Sequence, residues 1–252
     1  MMYVSRVYRE QVKQDDLVHF RVVIKESDLY ISVDRPSFNP GVEELAYELT
    51  WRYRQALEEY IAVDPLFRTT FSPHILRQDA PPIARTMNEA AWQAGVGPMA
   101  AVAGAMAEFI GRELLSAVCE VIVENGGDIF LVTRVPRTIG IFAGTSPFSN
   151  RLGLEIQPDT TPVGVCTSSG TVGPSFSFGQ ADAAVLIAKS AALADAAATA
   201  VGNVVQTKVD VQKAVELAQT IPGVLGAVVI KDDQLAAWGQ VRLVPIKMRA
   251  GG

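Results

Sequence analysis

The sequence predicts an α+β fold of two halves of similar plan, each an antiparallel sheet with helices on one face. Three observations carry that prediction. Alternating runs separated by turn residues recur along the chain, amphipathic or Ala-rich helical stretches lie between them, and the order is strands, helices, strands, then helices and strands again. The halves are expected at approximately 1–135 and 136–252, intertwined within one domain; 252 residues can bury a substantial core.

Val18 to Val33 reads as two paired strands, His-Phe-Arg-Val-Val-Ile and Leu-Tyr-Ile-Ser-Val, around a Lys-Glu-Ser-Asp turn. After the prolines at 36 and 40, Val42 to Ile61 carries Leu45, Leu49, Tyr53, Leu57 and Tyr60 at helical spacing. A proline-containing connection runs from Asp64 to Pro82, and Arg85 to Ala117 is a second helical region, broken near Gly95 to Pro98. Its small residues Ala100, Gly104 and Gly111 would let another backbone approach closely. Cys119 to Val123 and Ile129 to Val135 are strands joined by Glu-Asn-Gly-Gly-Asp, a hairpin signal because these residues tolerate positive φ. Further strands are expected at Thr138 to Phe142 and Arg151 to Ile156. Val163 to Gln180 is Ser/Thr/Gly-rich, Ala181 to Val205 is predicted helical, and Asp210 to Thr220 is a short helix. Val224 to Ile230 and Leu235 to Val244 close the chain as a hairpin.

Composition excludes several function classes. At 49% hydrophobic and 19% charged the chain is not disordered, and a net charge of −5 without Lys/Arg clusters argues against nucleic acid as partner. Two histidines, His19 and His74, and two distant cysteines, Cys119 and Cys166, are too few for a zinc motif or a disulfide framework. Any metal would need oxygen ligands. Arg6, Arg9 and Glu10 stand where a signal peptide would be apolar. The most membrane-like stretches, Gly97 to Gly111 and Ala183 to Val205, are short or interrupted by Lys189 and Asp195, so a cytoplasmic protein with no membrane partner is expected.

Three clusters could carry chemistry. In Asn125-Gly126-Gly127-Asp128 the glycines either form a plain hairpin turn or clear space for a ligand at the backbone, with Asp128 accepting from a sugar or ring N–H. Thr167-Ser168-Ser169-Gly170-Thr171 is either a polar loop or helix cap, or a neutral cradle of hydroxyls and backbone N–H groups for phosphate. Asp195 and Thr199 are four apart, so on a helix they share a face and offer two hard oxygen ligands suited to Mg²⁺; the plainer reading is a buried or capping Asp beside a packed Thr. Asp182, whose Ala-Asp-Ala context echoes that of Asp195, is a candidate base, or else a helix-start aspartate. His74, in a connection that could cover a pocket, is the other catalytic candidate. His19 fits a structural role in a strand, and Cys166, without a recognisable histidine partner, fits a small buried hydrophobe.

Gly-Gly-Asp-Ile after a strand, then Thr-Ser-Ser-Gly, then Ala-Asp-Ala-x-x-Thr-Ala resembles the ordered signature of the ApbE superfamily, whose best-known members transfer FMN from FAD to a threonine of a partner protein with Mg²⁺. Val96 to Gly104 resembles the glycine-containing helix start upstream, and the matches run from about residue 95 to 205. The chain as a whole more closely resembles an uncharacterised ApbE-like branch. The resemblance implies duplicated T-fold-like subdomains holding a flavin nucleotide, FAD or FMN. Asp195 and Thr199 match metal-ligand positions; Gly126, Gly127, Asp128, Thr167, Ser168 and Gly170 match positions near the nucleotide, with Ser169 and Thr171 in the same loop. Two positions depart from the transferase pattern: Ala103 stands where the transferases have lysine, and Pro174 to Asp182 lacks their His-x-x-Asp-Pro segment. The functions left open are FMN transfer or diphosphate cleavage, a non-catalytic binding or scaffold protein, and an enzyme acting on another small metabolite in the same cleft. The small-residue helices also suggest self-association as a homodimer.

Overall fold

A computed structural model of the protein describes residues 15–172 and 177–246. Its framework is one eight-stranded antiparallel sheet in the order β1-β2-β3-β4-β7-β8-β9-β10. Strands β1 (Leu17–Ile24), β2 (Ser27–Asp34), β3 (Val121–Asn125) and β4 (Asp128–Val132) form one half of it. Strands β7 (Val163–Ser168), β8 (Ala183–Ala188), β9 (Val224–Lys231) and β10 (Gln234–Gly239) form the other. Each half is a hairpin, a helical insertion and a second hairpin, and β4 pairs with β7 to make the sheet continuous.

The helices cover one face. Between β2 and β3 lie α1 (Pro40–Val63), α2 (Pro65–Thr69), α3 (Pro82–Ala94), a 3₁₀ turn at Pro98–Ala101 and α4 (Val102–Leu114); between β8 and β9 lie α5 (Ala191–Val204) and α6 (Val211–Thr220). Alternation along the strands sorts side chains between layers: Phe130 and Cys166 enter the helical core, whereas Leu131 and Val165 enter a second core on the opposite face. That second core packs against a three-stranded sheet of β11 (Leu243–Pro245), β6 (Leu152–Ile156) and β5 (Arg137–Gly140). Arg137 ties the two sheets: its buried guanidinium reaches Glu120 at 2.5 Å and Asp16 at 2.8 Å, so the charge is paired on both sides. No single helix among the described residues is long and apolar enough to cross a membrane.

The mixed helix and antiparallel-sheet class follows the sequence pattern, and so do most elements. Asn39 caps α1 by accepting from the Gly41 N–H, and Gly95 ends α3 in the left-handed conformation that glycine adopts without a Cβ penalty. The exceptions are Leu235 to Val244, where β10 stops at Gly239 and Leu243–Pro245 joins the small sheet instead of the hairpin, and Ala181 to Val205. Ala183–Ala188 is a strand, and the helix starts only at Ala191, behind a Ser190 side chain that accepts from the Leu193 N–H. Every residue of β8 is buried, because it is a central strand with the helices on one face and the small sheet on the other. It therefore shows no alternation, and alanine supplied a helical composition. His19 is structural, stacked on Tyr30 with its ring 2.7 Å from the Ser32 hydroxyl.

Candidate functional site

The site is built where α4, α5 and the facing ends of β4 and β7 meet. The backbones approach closely because three positions lack a side chain. A Cβ on Gly104 of α4 would stand 2.2 Å from the Ala191 carbonyl oxygen, and one on Gly164 of β7 would stand 2.3 Å from the Ala191 Cα. Gly111 seats the far end of α4 on Phe130 in the same way. The first turn of α5 is thus wedged between α4 and the sheet.

Two buried carboxylates lock this crossing reciprocally. Glu108 of α4 accepts at Oε2 from the Ala191 N–H (2.7 Å) and the Ser190 hydroxyl (2.8 Å), satisfying the N-terminus of α5. Asp195 of α5 accepts at Oδ2 from the Gly104 N–H (2.8 Å), satisfying the N-terminus of α4. Each carboxylate sits where free N–H groups and the helix dipole favour negative charge. Arg112 pairs with the other oxygen of Glu108 at 2.8 Å, whereas the groups that act on Asp195 are its burial, Asp128 and the Gly104 and Ala103 N–H groups, with no lysine or arginine among them. Glu108→Gln should cost about 1–2 kcal/mol, since it weakens charge-assisted bonds without emptying the site. Urea unfolding measures this, and an unchanged midpoint would mean that packing alone holds the α5 start.

The Gly126-Gly127 turn occupies the sheet edge of the same space. Both glycines have positive φ, 74° and 112°, which the two-residue hairpin demands. The Gly127 N–H donates to Glu124 at 3.2 Å, and Asn125 donates to the Ala103 carbonyl at 3.3 Å, tying the turn to the start of α4. The register that pairs Ile129 with Val165 sets Asp128 beside Cys166, both on the helical face, and Gly127 beside Thr167. Cys166 is fully buried and donates to the Ala191 carbonyl at 3.3 Å. Burial first, and then Asp128 and Asp195, push its thiol pKa well up, so it stays neutral and unreactive. Burial and the neighbouring Asp128 also push Asp195 well above the ordinary carboxylate range. A buried carboxyl facing a second carboxylate, with cations absent from its surroundings, is a site that prefers a proton or a metal ion.

The Thr-Ser-Ser-Gly-Thr segment is part strand, part loop. Thr167 and Ser168 end β7, and a Cβ on Gly202 of α5 would lie 3.3 Å from the Ser168 hydroxyl. Ser169 organises the loop by accepting from the Thr171 and Val172 N–H groups at 3.2 and 2.9 Å. Gly170 lies against the backbone of Gly179, and Gly179 against that of Gly202, so the loop, its return strand and the end of α5 are stacked without side chains between them. Thr199, half-buried and one turn beyond Asp195, has no hydrogen-bond partner among the described residues. The structure therefore brings Gly126, Gly127, Asp128 and Asp195 together, with Thr199 and Ser168 along the adjoining side of α5, whereas the Thr167 side chain, paired with Val185, turns to the opposite face of the sheet.

The two residues expected to act as catalysts lie elsewhere in the network. Asp182 does not start a helix; it immediately precedes β8 and accepts from Thr171 (2.9 Å), the Asp232 N–H (2.6 Å) and Lys231 (3.4 Å). Those partners make it the anchor between the loop and the β9–β10 turn. His74 hydrogen-bonds Asp64 at 2.8 Å, lies edge-on to Phe67, and its carbonyl accepts from the Trp92 indole. Tyr60 donates to the same Asp64 oxygen at 2.9 Å, so His74 closes a network local to the connection between α2 and α3. The Pro174 to Asp182 stretch is described only from 177; within it the Phe178 N–H donates to Asn203 at 2.9 Å, near the end of α5. Glu108 was missed by sequence reading, although an acid in the middle of an apolar small-residue stretch, four residues before Arg112, signals a buried partner.

The family model described as AbpE bacteria matches residues 9–235. A UPF0280 protein of Methanocella arvoryzae is 43% identical over 219 residues, covering 86% of this chain and 87% of the relative. A UPF0280 protein of Methanothrix thermoacetophila is 46% identical over 190 residues, covering 75% and 79%. Among solved structures, the apo flavinyl transferase ApbE of Pseudomonas stutzeri superposes with a TM-score of 0.58 at 14% identity, covering 91% of this chain and 95% of that one. That likeness speaks for the fold.

Proposed function

The chain belongs to the AbpE bacteria family, and on that premise we propose that it binds a flavin nucleotide, FAD or FMN, together with Mg²⁺ in the cleft between α5 and the β4 and β7 strand ends. The observation that carries the reading is Asp195: a buried carboxyl, desolvated and beside Asp128, whose counterweights are the Gly104 and Ala103 N–H groups, with no lysine or arginine among them. Such a group is costly in an empty site and suited to a hard cation. Asp195 and the half-buried Thr199 hydroxyl would hold Mg²⁺, which when bound would neutralise diphosphate charge. From the Thr167 to Thr171 segment the Ser168 hydroxyl, on the α5 side of the sheet, would donate to phosphate oxygens, and the bare backbone of Gly126 and Gly127 admits a ring or sugar close to the strand end. Asp128 accepts from ring or sugar donors.

Binding is the core of this proposal. Asp182 and His74 are committed to structural partners, and Ala103, in the first turn of α4, stands where a transferase would carry lysine, so the residues in the cleft orient and hold a nucleotide. Diphosphate cleavage would need only the positioning the cleft provides, and it is the activity to assay beside binding. A thermal-shift series with FAD and FMN, each with Mg²⁺ or EDTA, tests the reading: a rise in melting temperature is expected with flavin and Mg²⁺ together. No rise at millimolar flavin would refute it. Thr199→Val should weaken the Mg²⁺ dependence about tenfold while leaving stability within about 0.5 kcal/mol, because the hydroxyl has no protein partner to lose. An unaltered Mg²⁺ titration would remove Thr199 from the ligand set.

A further inference from the structure

On the opposite side of the Thr167 to Thr171 loop from the cleft, the turn-rich segment after β5 forms a polar depression of about 530 Å³. Its lining includes Gly144, Thr145, Ser149, Asn150, Arg151 and Ile246, and no carboxylate. Among the described residues the Arg151 guanidinium has no carboxylate or carbonyl partner. The other described arginines, Arg68 and Arg134 apart, are all committed, for example Arg112 to Glu108, Arg137 to Glu120, and Arg85 to the Gln78 and Ala80 carbonyls. Of the three uncommitted arginines, Arg151 is the one that lines this depression.

The neighbouring polar side chains keep donors to spare. Ser149 accepts from the Ala143 N–H at 3.0 Å, which leaves its own hydrogen to donate, and the Thr145 hydroxyl and Asn150 amide have no partner among the described residues. Asn150 is held in the left-handed region at φ 57°, with its N–H fixed to the Ile141 carbonyl, so the turn that carries it and Arg151 is a defined one. The segment abuts the ligand loop: a Cβ on Gly144 would lie 3.1 Å from the Val172 side chain and 3.8 Å from the Thr171 hydroxyl.

We infer that this depression is an oxyanion site in which Arg151, Asn150, Thr145 and Ser149 bind a phosphate group of a small molecule. In a chain of net charge −5, a concave surface that sets hydroxyl and amide donors around an uncommitted guanidinium, with no carboxylate in its lining, is complementary to an oxyanion. The inference stands apart from the flavin cleft. It is tested by titrating inorganic phosphate into the full chain at constant ionic strength, by calorimetry, with Arg151→Gln and Asp195→Asn alongside. Wild type and Asp195→Asn should bind phosphate equally, and Arg151→Gln should bind at least about tenfold more weakly, since its charge-assisted bonds are lost. The Arg151 side chain is exposed and unpartnered, so that variant keeps its fold, as its circular dichroism spectrum would verify. No phosphate binding in wild type, equal binding by Arg151→Gln, or loss of binding in Asp195→Asn instead would overturn the site.

Discussion

Asp195→Asn is expected to melt at a higher temperature than the wild type at neutral pH in EDTA, and to lose all Mg²⁺-dependent stabilisation by flavin. Both results come from one carboxyl. Its folded pKa is raised by burial and by Asp128 above the ordinary value of 3.8, so the folded state holds its proton more tightly than the unfolded chain does. The stability this contributes is fully present below about pH 3.8 and is lost as pH rises through the elevated folded value. At neutral pH the metal-free wild type therefore bears a penalty that a neutral side chain removes. Asparagine can still accept from the Gly104 N–H, so the cap on α4 survives. For a chain of this size each kcal/mol recovered raises the melting temperature by about 2–4 °C. The wild-type melting temperature should fall relative to Asp195→Asn as pH rises from about 3.8 through the raised folded value, and parallel pH profiles would show that the carboxyl is not penalised.

Gly104→Ala should destabilise by about 3 kcal/mol or more and, in any fraction that folds, abolish the Mg²⁺ response. The added methyl would lie 2.2 Å from the Ala191 oxygen, 2.7 Å from its carbonyl carbon and 2.8 Å from the Asp195 Cβ. The obstructing atoms are mainly backbone of a helix end that is itself seated on Gly164, so α5 cannot yield toward the sheet. Separation of α4 and α5 breaks both carboxylate caps together, because Glu108 and Asp195 each reach across the same crossing. Chemical denaturation with a refolding control measures the loss, and a cost under about 1 kcal/mol would mean that the crossing is more compliant than its geometry implies.

How far these features were legible in the sequence depends on whether their determinants are local. The Val18 to Val33 hairpin alternates because one side of it meets the helical core, and the Gly-Gly turn announces itself through its φ requirement. The Asp195 and Thr199 spacing placed two oxygens along α5 from the chain alone. Whether Asp195 meets an arginine, a metal or a helix end depends on α4, whose Gly104 lies 91 positions away. Glu108 and its bonds to Ser190 and Ala191 are equally non-local. Strand β8 was read as helix because burial on both faces erases periodicity, although Val185-Leu186-Ile187 ahead of a Ser190 cap was a usable signal. Asp182 looked like a second Asp195 by its neighbours, yet its environment is a strand end beside Lys231.

The most direct measurement of the central claim is a FAD fluorescence titration of the purified full chain in Mg²⁺ and in EDTA, run in parallel on wild type and Asp195→Asn. The account predicts saturable binding by the wild type that weakens at least about tenfold in EDTA, and weak binding by Asp195→Asn that is the same in both buffers. Equal affinity of wild type and variant for FAD in Mg²⁺ would contradict it.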